Sequence, residues 1–445
     1  MLFYTKEFIL FFLPLTLFSY YFLSKFKICK KILLILLSLA FYSWWNIYYL
    51  PLILFSVFVN FFLGNKIKKS LNKKSFFLSI SITFNILLLF SFKYIDFFID
   101  NFNLITSSNI NNLNLPFPLG ISFYTFQIIT YLVDCYYSEV KDNKFRNFCL
   151  FVVFFPQLIA GPIIKFNYFK DQIDSKFSSM FNVDNFIKGA FIFIIGFIKK
   201  VYLAHNLSIY VEKGFENLNE LNVVTAWITS FSFFFQFYFD FSAYVDMALG
   251  CALMMNIVLP KNFNSPLKAI NIIDFWKRWH ITLTNFLMNY IYFPILSSRK
   301  EITFSFSIIV TLFIFLLAGF WHGPAWTFLF FGLLHGLGVV FNHILSKYLK
   351  LNINRFFAIL LTLSYVNITF IFFRSKNLEE GFNFLEKMFF NIEFTSLIDL
   401  LYKDILENIF HYTVFLISIM VIFLFKNSNQ INIDKFLNKN LKQTN

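Results

Sequence analysis

Two histidines lie in an apolar stretch of the chain that otherwise has the composition of a membrane helix. The stretch is GFWHGPAWTFLFFGLLHG, from Gly319 to Gly336, and the histidines are His322 and His335. A protonatable side chain is expensive in hydrocarbon, so an ionisable residue inside a membrane segment usually has a function. His322 is therefore the first candidate for a residue that does chemistry.

The dipeptide Gly323-Pro324 predicts a helix break directly after His322. The residue before a proline avoids the α region, and proline is favoured at the first position of a new helix. We predict one helix over Thr303–Phe320 and a second from Pro324 to about Phe341. His322 would then lie beside the unpaired N–H groups and the positive dipole end of the second helix, where imidazolium is disfavoured. A neutral imidazole can accept a proton, as a general base must.

A second histidine candidate, His280, lies in the segment Asn271–Tyr292. Asp274 is a plausible N-cap for a helix that starts at Phe275. The helix would be two-sided, and one side could line a wet cavity. The aromatic face would hold Trp276, Trp279, His280, Leu283 and Leu287. The polar face would hold Arg278, Thr282, Asn285 and Asn289.

The alternative for this helix is an interfacial position, with snorkelling Lys277 and Arg278 and a belt of tryptophans. For Lys277 and Arg278 this alternative is the favoured one. For His280 the residues alone leave a functional role and a packing role equally open.

Intramembrane carboxylates also occur in Phe235–Gly250, where Gln236, Asp240 and Met247 share one helical stripe and Asp246 points elsewhere. A buried carboxylate is costly and needs a partner or water. Arg278 or a lysine is the candidate partner for Asp240. A structural ion pair is favoured over a direct acid–base role, because such pairs also perturb buried groups.

Other kinds of catalytic site find little support in the sequence. The three histidines His280, His322 and His335 lack the i, i+4 spacing and the carboxylate companion of a helical metal site, so no metal is expected. His335, rotated by about 220° from His322 on an ideal helix, is expected to pack against a neighbour or to line another face. The chain has no Gly-rich phosphate loop and no Gly-x-Ser-x-Gly motif, which favours direct transfer assisted by a base over a covalent serine mechanism.

The elements that position these residues must be membrane helices. The chain has 445 residues, 58% hydrophobic and 14% charged, with a mean hydropathy of +0.65, whereas a soluble protein would need more polar surface. We predict an all-α polytopic membrane protein with about 11–13 transmembrane or re-entrant helices, since each span needs ~20 apolar residues. The membrane domain would cover 1–430 and a polar tail 431–445. Spans or half-spans are predicted near 8–23, 31–48, 50–63, 76–92, 117–137, 146–164, 186–204, 223–252, 281–296, 302–320, 325–345, 355–373 and 411–425.

The charge distribution predicts the orientation of these spans. Lysines cluster at 25–31 and 66–74, whereas the connection at 46–51 carries no charge. Basic short loops stay cytoplasmic, so we expect the N-terminus outside and both clusters inside, in a multi-pass protein of the cell membrane. The net charge of +14 is then a signal of topology and of contact with anionic membrane lipid, and no nucleic-acid partner is expected.

With these residues in view, the chain resembles the membrane-bound O-acyltransferase superfamily, in the branch typified by alginate O-acetylation proteins. The resemblance is nearly full length and is carried by ordered motifs, among them WWNIYYL, PLGISFYTFQIITYLVDCYY, FFPQLIAGPI, FQFYFDFSAYVDMALG, DFWKRWHITLTNFLMNYIYFPI, GFWHGPAWTFLFFGLLHG and FIFFRSKNLEEGFNFLEKMF. This chain departs from the family pattern at Pro324-Ala325 after Trp-His-Gly and at Leu296-Ser297, where Gly-Gly is usual.

The resemblance implies a funnel-like helix bundle with a central channel that contains histidine. Members move an acyl group from a thioester donor to a hydroxyl. In the bacterial branch the donor is cytoplasmic, the acceptor is an extracytoplasmic polysaccharide, peptidoglycan or wall polymer, and a partner of the SGNH-hydrolase type often completes the transfer. The catalytic histidine of the family maps to His322 and its second motif histidine to His280.

The leading hypothesis is therefore an O-acyltransferase in which His322 is the general base and His280 orients or polarises a reactant. No bound cofactor is expected, and an acyl thioester, with acetyl-CoA favoured, is the co-substrate. Two alternatives stay open: D-alanyl transfer to teichoic acid from a carrier protein, and a transporter or scaffold without catalysis. The substrate channel is expected to include Trp276, Trp279, Arg278, Gln236, Asp240 and Trp321.

Overall fold

The computed structural model describes residues 1–141, 144–176, 178, 180–349, 353–390 and 404–430. The predicted polar tail, 431–445, lies outside these residues. Within them the chain is helical and contains no strand, which confirms the prediction of an all-α fold.

The α-helices of the described residues, in chain order, are α1 (Leu13–Phe22), α2 (Lys27–Ser43), α3 (Leu50–Lys69), α4 (Lys74–Lys93), α5 (Ile95–Thr106), α6 (Ile121–Tyr136), α7 (Phe145–Val153), α8 (Phe155–Leu158), α9 (Phe166–Asp174), α10 (Val183–Ile198), α11 (His205–Glu216), α12 (Val223–Met254), α13 (Ile272–Arg278), α14 (Ile281–Leu287), α15 (Phe293–Ser297), α16 (Phe304–His322), α17 (Trp326–Tyr348), α18 (Arg355–Arg374), α19 (Leu378–Phe389) and α20 (Ile409–Leu424). Three π-helical turns adjoin them at Phe8–Phe12, Lys199–Ala204 and Met288–Tyr292.

Five helices among the described residues are long and apolar enough to cross a membrane. They are α3 with its preceding turn, α4, α16, α17 and α18, and the segment Phe8–Phe22 and α20 are shorter apolar helices. These seven coincide with predicted spans. The predicted span near 146–164 is not one continuous helix, because α7 ends at Val153 and only the short α8 follows before a non-helical stretch.

The described chain divides into two compact units. Unit 1 comprises Met1–Phe193, Met247–Pro260 and Asn285–Pro294, and unit 2 comprises Ile194–Asp246, Lys261–Thr284 and Ile295–Asn445. Helices α10, α12, α14 and α15 contribute residues to both units. A single membrane domain over 1–430 stays a prediction.

Unit 1 is built on a cluster of phenylalanine side chains. The rings of Phe8, Phe12, Phe41 and Phe155 pack at centroid distances such as 5.5 Å for Phe8–Phe12 and 5.3 Å for Phe12–Phe155. Aromatic pairs at such separations add to the stabilisation that comes from buried area. The many phenylalanines of the sequence thus contribute here to the core.

A charged cluster ties α2 to α9 in unit 1. The buried Lys31 ammonium donates to Asn147 Oδ1 at 2.8 Å and forms an ion pair with Asp174. Partial burial alone would raise the pKa of Asp174, but the hydrogen bond and charge of Lys31, with the charge of Lys170, hold that pKa below its ordinary value. This carboxylate therefore stabilises the folded chain in its ionised form.

In unit 2, α16 and α17 form a hairpin whose backbones are in direct contact. Thr303 caps the start of α16 by accepting a hydrogen bond from Phe306 N at its side chain. A methyl group on Gly319 would collide with the Phe328 carbonyl oxygen, and one on Gly332 with the Phe315 carbonyl oxygen. Only glycine at these two positions allows the helices to approach so closely, and the approach fixes the register of α16 against α17.

Candidate active site

His322 is the last residue of α16. Gly323 has an extended backbone (φ −169°, ψ 160°), as expected before a proline, and α17 begins at Trp326 and ends at Tyr348. The predicted break after His322 is thus confirmed. The predicted start of the next helix at Pro324 is wrong, because Ala325 is also extended and serves as the N-cap residue.

This position changes the expected electrostatics of His322. The final carbonyl groups of a helix carry partial negative charge, which favours a cation, whereas the sequence predicted the positive end of a dipole. His322 thus lies at the end of α16, and the expectation that the start of α17 disfavours its imidazolium stays a prediction.

An aromatic wall surrounds the half-buried His322 ring. The ring lies edge-on to Trp321, Phe373 and Phe331, at centroid distances of 4.9, 5.1 and 6.0 Å. Such a wall limits the access of water to the imidazole, and electrostatic interactions are stronger where water is scarce.

The predicted helix from Phe275 through the segment Asn271–Tyr292 is wrong, because α13 ends at Arg278 and α14 begins at Ile281. The segment 262–264 takes the hydrogen bonds that would continue the helix. Asn264 N donates to Arg278 O, Ile281 N donates to Asn262 O, and Thr282 N donates to the buried Asn262 Oδ1 at 3.0 Å. The single aromatic stripe and the single polar stripe expected from a continuous helix are therefore not formed.

The start of α13 also differs from the prediction. The N-cap is Asn271, whose side-chain oxygen accepts from Asp274 N at 2.7 Å, so the helix begins at Ile272. Asp274, the predicted cap, instead binds Arg278 Nε at 2.8 Å.

His280 lies in the break between α13 and α14, with a left-handed backbone. Its φ is +44°, and its side chain is buried. A non-glycine residue in this region is strained and persists only where the surrounding structure holds it, and such residues cluster at functional sites. The ring packs against Phe241 at 4.8 Å and Trp321 at 6.1 Å.

Trp321 brings the two candidate catalytic histidines together. Its ring lies edge-on to both His280 and His322, although the two histidines belong to distant parts of the sequence. Trp321 itself is buried. In unit 2 the Trp321 indole therefore contacts two imidazoles, that of His322 at the end of α16 and that of His280 in the break after α13.

His335 has a different environment, inside α17 and fully buried. Trp276 Nε1 donates to His335 Nδ1 at 3.2 Å, so this nitrogen is the acceptor and Nε2 carries the proton. Nε2 then donates to Thr369 Oγ1 at 2.8 Å, and the threonine hydroxyl donates to Val366 O. The prediction that His335 packs against a neighbour is confirmed, and the neighbour is Trp276.

The other residues expected in the channel are less closely grouped. Trp279 is buried and stacks on Phe275 at 5.4 Å. Arg278, paired with Asp274, lines a cavity of 670 Å³ together with Lys268 and Arg355.

The two carboxylates of α12 form ion pairs with successive lysines. Asp240 pairs with Lys200 at 2.6 Å, and Asp246 pairs with Lys199 at 2.7 Å. Of the partners considered for Asp240, the structure thus provides a lysine and not Arg278. Gln236, one turn earlier, has a buried side-chain oxygen without a hydrogen-bond partner among the described residues.

Sequence reasoning missed the residues that support the histidines from other elements. Asn262 interrupts the helix before His280, Phe241 and Phe373 pack on the imidazoles, and Thr369 binds His335. The asparagines at 262 and 264 are a turn signal that could have been used, but no local signal indicates which backbone groups they would bind. Among the described residues, no group of three His, Cys, Asp or Glu side chains is arranged to hold a metal ion.

Comparison with known proteins gives a consistent answer. Residues 37–378 match the model of the membrane-bound O-acyltransferase family. The chain is 41% identical over 423 residues to a peptidoglycan O-acetyltransferase of Helicobacter pylori, covering 87% of this chain and 80% of that protein. It is 32% identical over 398 residues to the probable alginate O-acetylase AlgI of Pseudomonas aeruginosa, covering 87% and 75%.

A third similarity is weaker. The chain is 26% identical over 276 residues to a teichoic acid D-alanyltransferase of Bacillus subtilis, covering 59% of this chain and 70% of that protein. The family match extends over more than half of the chain and includes both histidines that pack on Trp321. The chain therefore belongs to the membrane-bound O-acyltransferase family and is a membrane O-acyltransferase.

Proposed function

We propose that this enzyme moves an acetyl group from acetyl-CoA, a cytoplasmic thioester donor, towards a hydroxyl of an extracytoplasmic polysaccharide or peptidoglycan. The observation that carries the proposal is the placement of His280 and His322 on the same Trp321 ring. The similarity to two O-acetylating proteins, at higher identity and coverage than to the D-alanyltransferase, supports acetyl as the acyl group.

In the proposed reaction His322 is the general base. Its imidazole takes the proton of the acceptor hydroxyl as the oxygen attacks the thioester carbonyl, and a tetrahedral oxyanion forms. When the oxyanion collapses, the carbon–sulfur bond breaks, the ester remains on the acceptor, and the thiolate takes the proton from the imidazolium. The helix C-terminus at His322 stabilises the imidazolium that forms in the first step.

His280 is proposed to orient or polarise the thioester carbonyl. This residue lies outside any regular helix, and its left-handed backbone directs the ring towards Trp321. A fixed hydrogen-bond donor aimed at the developing oxyanion is a large contributor to acyl-transfer rates. This role requires a proton on the ring nitrogen that faces the carbonyl.

The proposed channel wall consists of the three buried tryptophans Trp276, Trp279 and Trp321. Trp276 is held in place by His335. Arg278, at the basic cavity with Lys268 and Arg355, would contact the charged part of the donor. Gln236 and Asp240 stay predicted channel residues.

The basic clusters at 25–31 and 66–74 support a multi-pass topology in the cell membrane with the donor side facing the cytoplasm. An extracytoplasmic partner of the SGNH-hydrolase type is proposed to complete the transfer to the polymer. In this scheme the first hydroxyl to receive the acyl group belongs either to that partner or to the polymer.

The test is a donor competition with the purified full-length protein in proteoliposomes. Radiolabelled acetyl-CoA and a D-alanyl carrier protein are supplied in parallel, each with peptidoglycan, alginate or teichoic acid on the other side and with the SGNH-type partner present or absent. We expect label transfer from acetyl-CoA only, lost in His322→Gln. Transfer from the D-alanyl carrier alone would refute the acetyl assignment, and equal transfer by His322→Gln would refute the base.

A further inference from the structure

A second cavity in unit 2, of 180 Å³, has an apolar wall and a basic end. We call it the lysine crevice. Its apolar wall comes from the end of α10, the π-helical turn that follows, and the end of α20. Its lining includes Ile198, Leu203, Val421, Ile422 and Phe425, and its basic side chains are Lys199, Lys268 and Lys426.

The three lysines of the crevice are not equivalent. Lys199 is nearly buried and its charge is balanced by Asp246, which also accepts a hydrogen bond from Ser428 at 2.7 Å. Lys268 donates to the Phe425 carbonyl oxygen at 3.2 Å, and the exposed Lys426 follows directly in the chain. The positive charge of the crevice is therefore concentrated at Lys268 and Lys426, where α20 ends.

The apolar rim indicates what surrounds the crevice. The side chains of Ile198 and Phe425 are 52% and 61% exposed. On a membrane protein, large exposed apolar side chains face hydrocarbon, because water would make them costly. The crevice therefore opens towards lipid tails, with its two uncompensated lysines at one end.

The basic end of the crevice lies beside further basic residues of unit 2. Lys268 also lines the 670 Å³ cavity with Ser346 and Arg355, at the end of α17 and the start of α18. Lys347 lies over the Phe304 ring at 3.9 Å, so the start of α16 is at the same side. Basic residues near span ends mark the cytoplasmic side.

We propose that the lysine crevice is a binding site for an anionic phospholipid of the cytoplasmic leaflet. The headgroup phosphate would lie between Lys268 and Lys426, and part of an acyl chain would lie along Leu203, Ile422 and Phe425. Basic pockets between membrane helices on the cytoplasmic side bind anionic headgroups in this way. Neither candidate catalytic histidine lines the crevice, although Lys268 also lines the cavity proposed for the charged part of the donor. The test of lipid binding below therefore measures no acyl transfer.

Charge complementarity selects this occupant. A soluble anion such as inorganic phosphate would satisfy the lysines but leave the apolar wall without a partner. A zwitterionic lipid would fill the wall but present no net negative charge to Lys268 and Lys426. Only an anionic amphiphile matches both parts of the crevice.

The experiment measures the thermal stability of the full-length protein in neutral detergent, titrated with short-chain phosphatidylglycerol, short-chain phosphatidylcholine or inorganic phosphate. We expect saturable stabilisation by phosphatidylglycerol alone. Since lysines near an anionic lipid headgroup each contribute to binding, Lys268→Gln with Lys426→Gln should weaken the apparent affinity by about 25-fold, about fivefold for each lysine.

Two further variants keep the result interpretable. Lys69→Gln with Lys73→Gln removes the same charge from exposed lysines outside the crevice and should bind phosphatidylglycerol as the unmodified protein does. Val421→Phe fills the crevice without changing charge and should weaken binding of the same lipid. Equal stabilisation by phosphatidylcholine or by inorganic phosphate, or unchanged binding in both crevice variants, would overturn the proposal.

Discussion

His335 and the pair formed by His280 and His322 show two ways to place a histidine inside a membrane protein. His335 lies in the middle of α17, with both ring nitrogens in hydrogen bonds to Trp276 and Thr369. His322 ends α16, and His280 lies between two short helices with a left-handed backbone. His335, which binds its neighbours through hydrogen bonds, lies within a regular helix. His280 and His322, which both pack on Trp321, lie where helices end. The three histidines share an ionisable side chain but differ in their position relative to helix ends, and the two proposed to take part in the reaction are those at helix ends.

The strongest way to break this comparison is His322→Ala. Loss of the proposed general base should lower the acyl-transfer rate by about 10²–10⁴-fold, while the protein stays inserted and folded. The measurement is the transfer rate of purified protein with saturating donor. His343→Ala, which removes an exposed histidine later in α17, is the matched control and should keep normal activity.

His280→Asn separates the ring of His280 from its backbone. Asparagine tolerates the left-handed region, so the break after α13 should persist while the rate falls by about 100-fold through loss of the polarising ring. His280→Ala should lose the same activity and be less stable than His280→Asn by about 1 kcal/mol, because alanine tolerates a positive φ less well than asparagine. Normal turnover in His280→Asn would show that His280 only packs in the core. The proposed difference between His335 and the other two histidines would then apply to His322 alone.

Thr369→Val tests the structural side of the comparison. The His335 Nε2–H would lose its acceptor in a fully buried site, which should cost about 1–3 kcal/mol of unfolding free energy. The rate of acyl transfer should fall far less than in His322→Ala. Thermal unfolding and transfer rate are measured on the same preparation.

The control for that variant is Thr362→Val in the same helix, since the Thr362 hydroxyl donates to the backbone oxygen of Ala358 and binds no other side chain among the described residues. It should change stability little. If Thr369→Val abolished transfer as completely as His322→Ala, His335 would have to be counted with the reacting groups.

The smallest effect is expected at Asp174, in unit 1. Its lowered pKa means that the ionised carboxylate stabilises the folded chain at neutral pH, and that this stabilisation is lost as the pH falls through the lowered pKa. Asp174→Asn should cost about 1 kcal/mol at pH 7, because the carboxylate is one-third exposed, and should flatten the loss of stability in acid. Transfer rates at pH 7 should not change. A variant as acid-sensitive as the unmodified protein would show that other carboxylates control acid unfolding.

The helix break after His322 could be predicted from neighbouring residues alone, because a proline restricts the backbone of the residue before it in any fold. The helices α3, α4 and α16–α18 could also be predicted locally, because the length and hydropathy of an apolar segment indicate a membrane helix. Neither prediction required knowledge of any distant residue.

The break at His280 could not be predicted in this way, because it contains no proline or glycine. It depends on Asn262 and Asn264, which donate to or accept from the backbone on either side of it. The same limit applies to the caps: Asn271 and Asp274 are both good N-cap residues, and the pairing of Asp274 with Arg278 accompanies the choice of Asn271. The start of the next helix at Pro324 was wrong for a related reason, since Ala325 is extended and α17 begins at Trp326.

The glycine contacts between α16 and α17 have a consequence for genetics. Gly319 and Gly332 bear no chemistry, yet any side chain there would push the two helices apart and shift the end of α16 with them. Near-attack geometry tolerates little displacement, so such shifts reduce turnover steeply. A random screen for inactive alleles should therefore return these glycines beside the histidines. An allele at either glycine should resist rescue by smaller residues on the facing helix or by added donor, because the atoms that collide belong to the backbone.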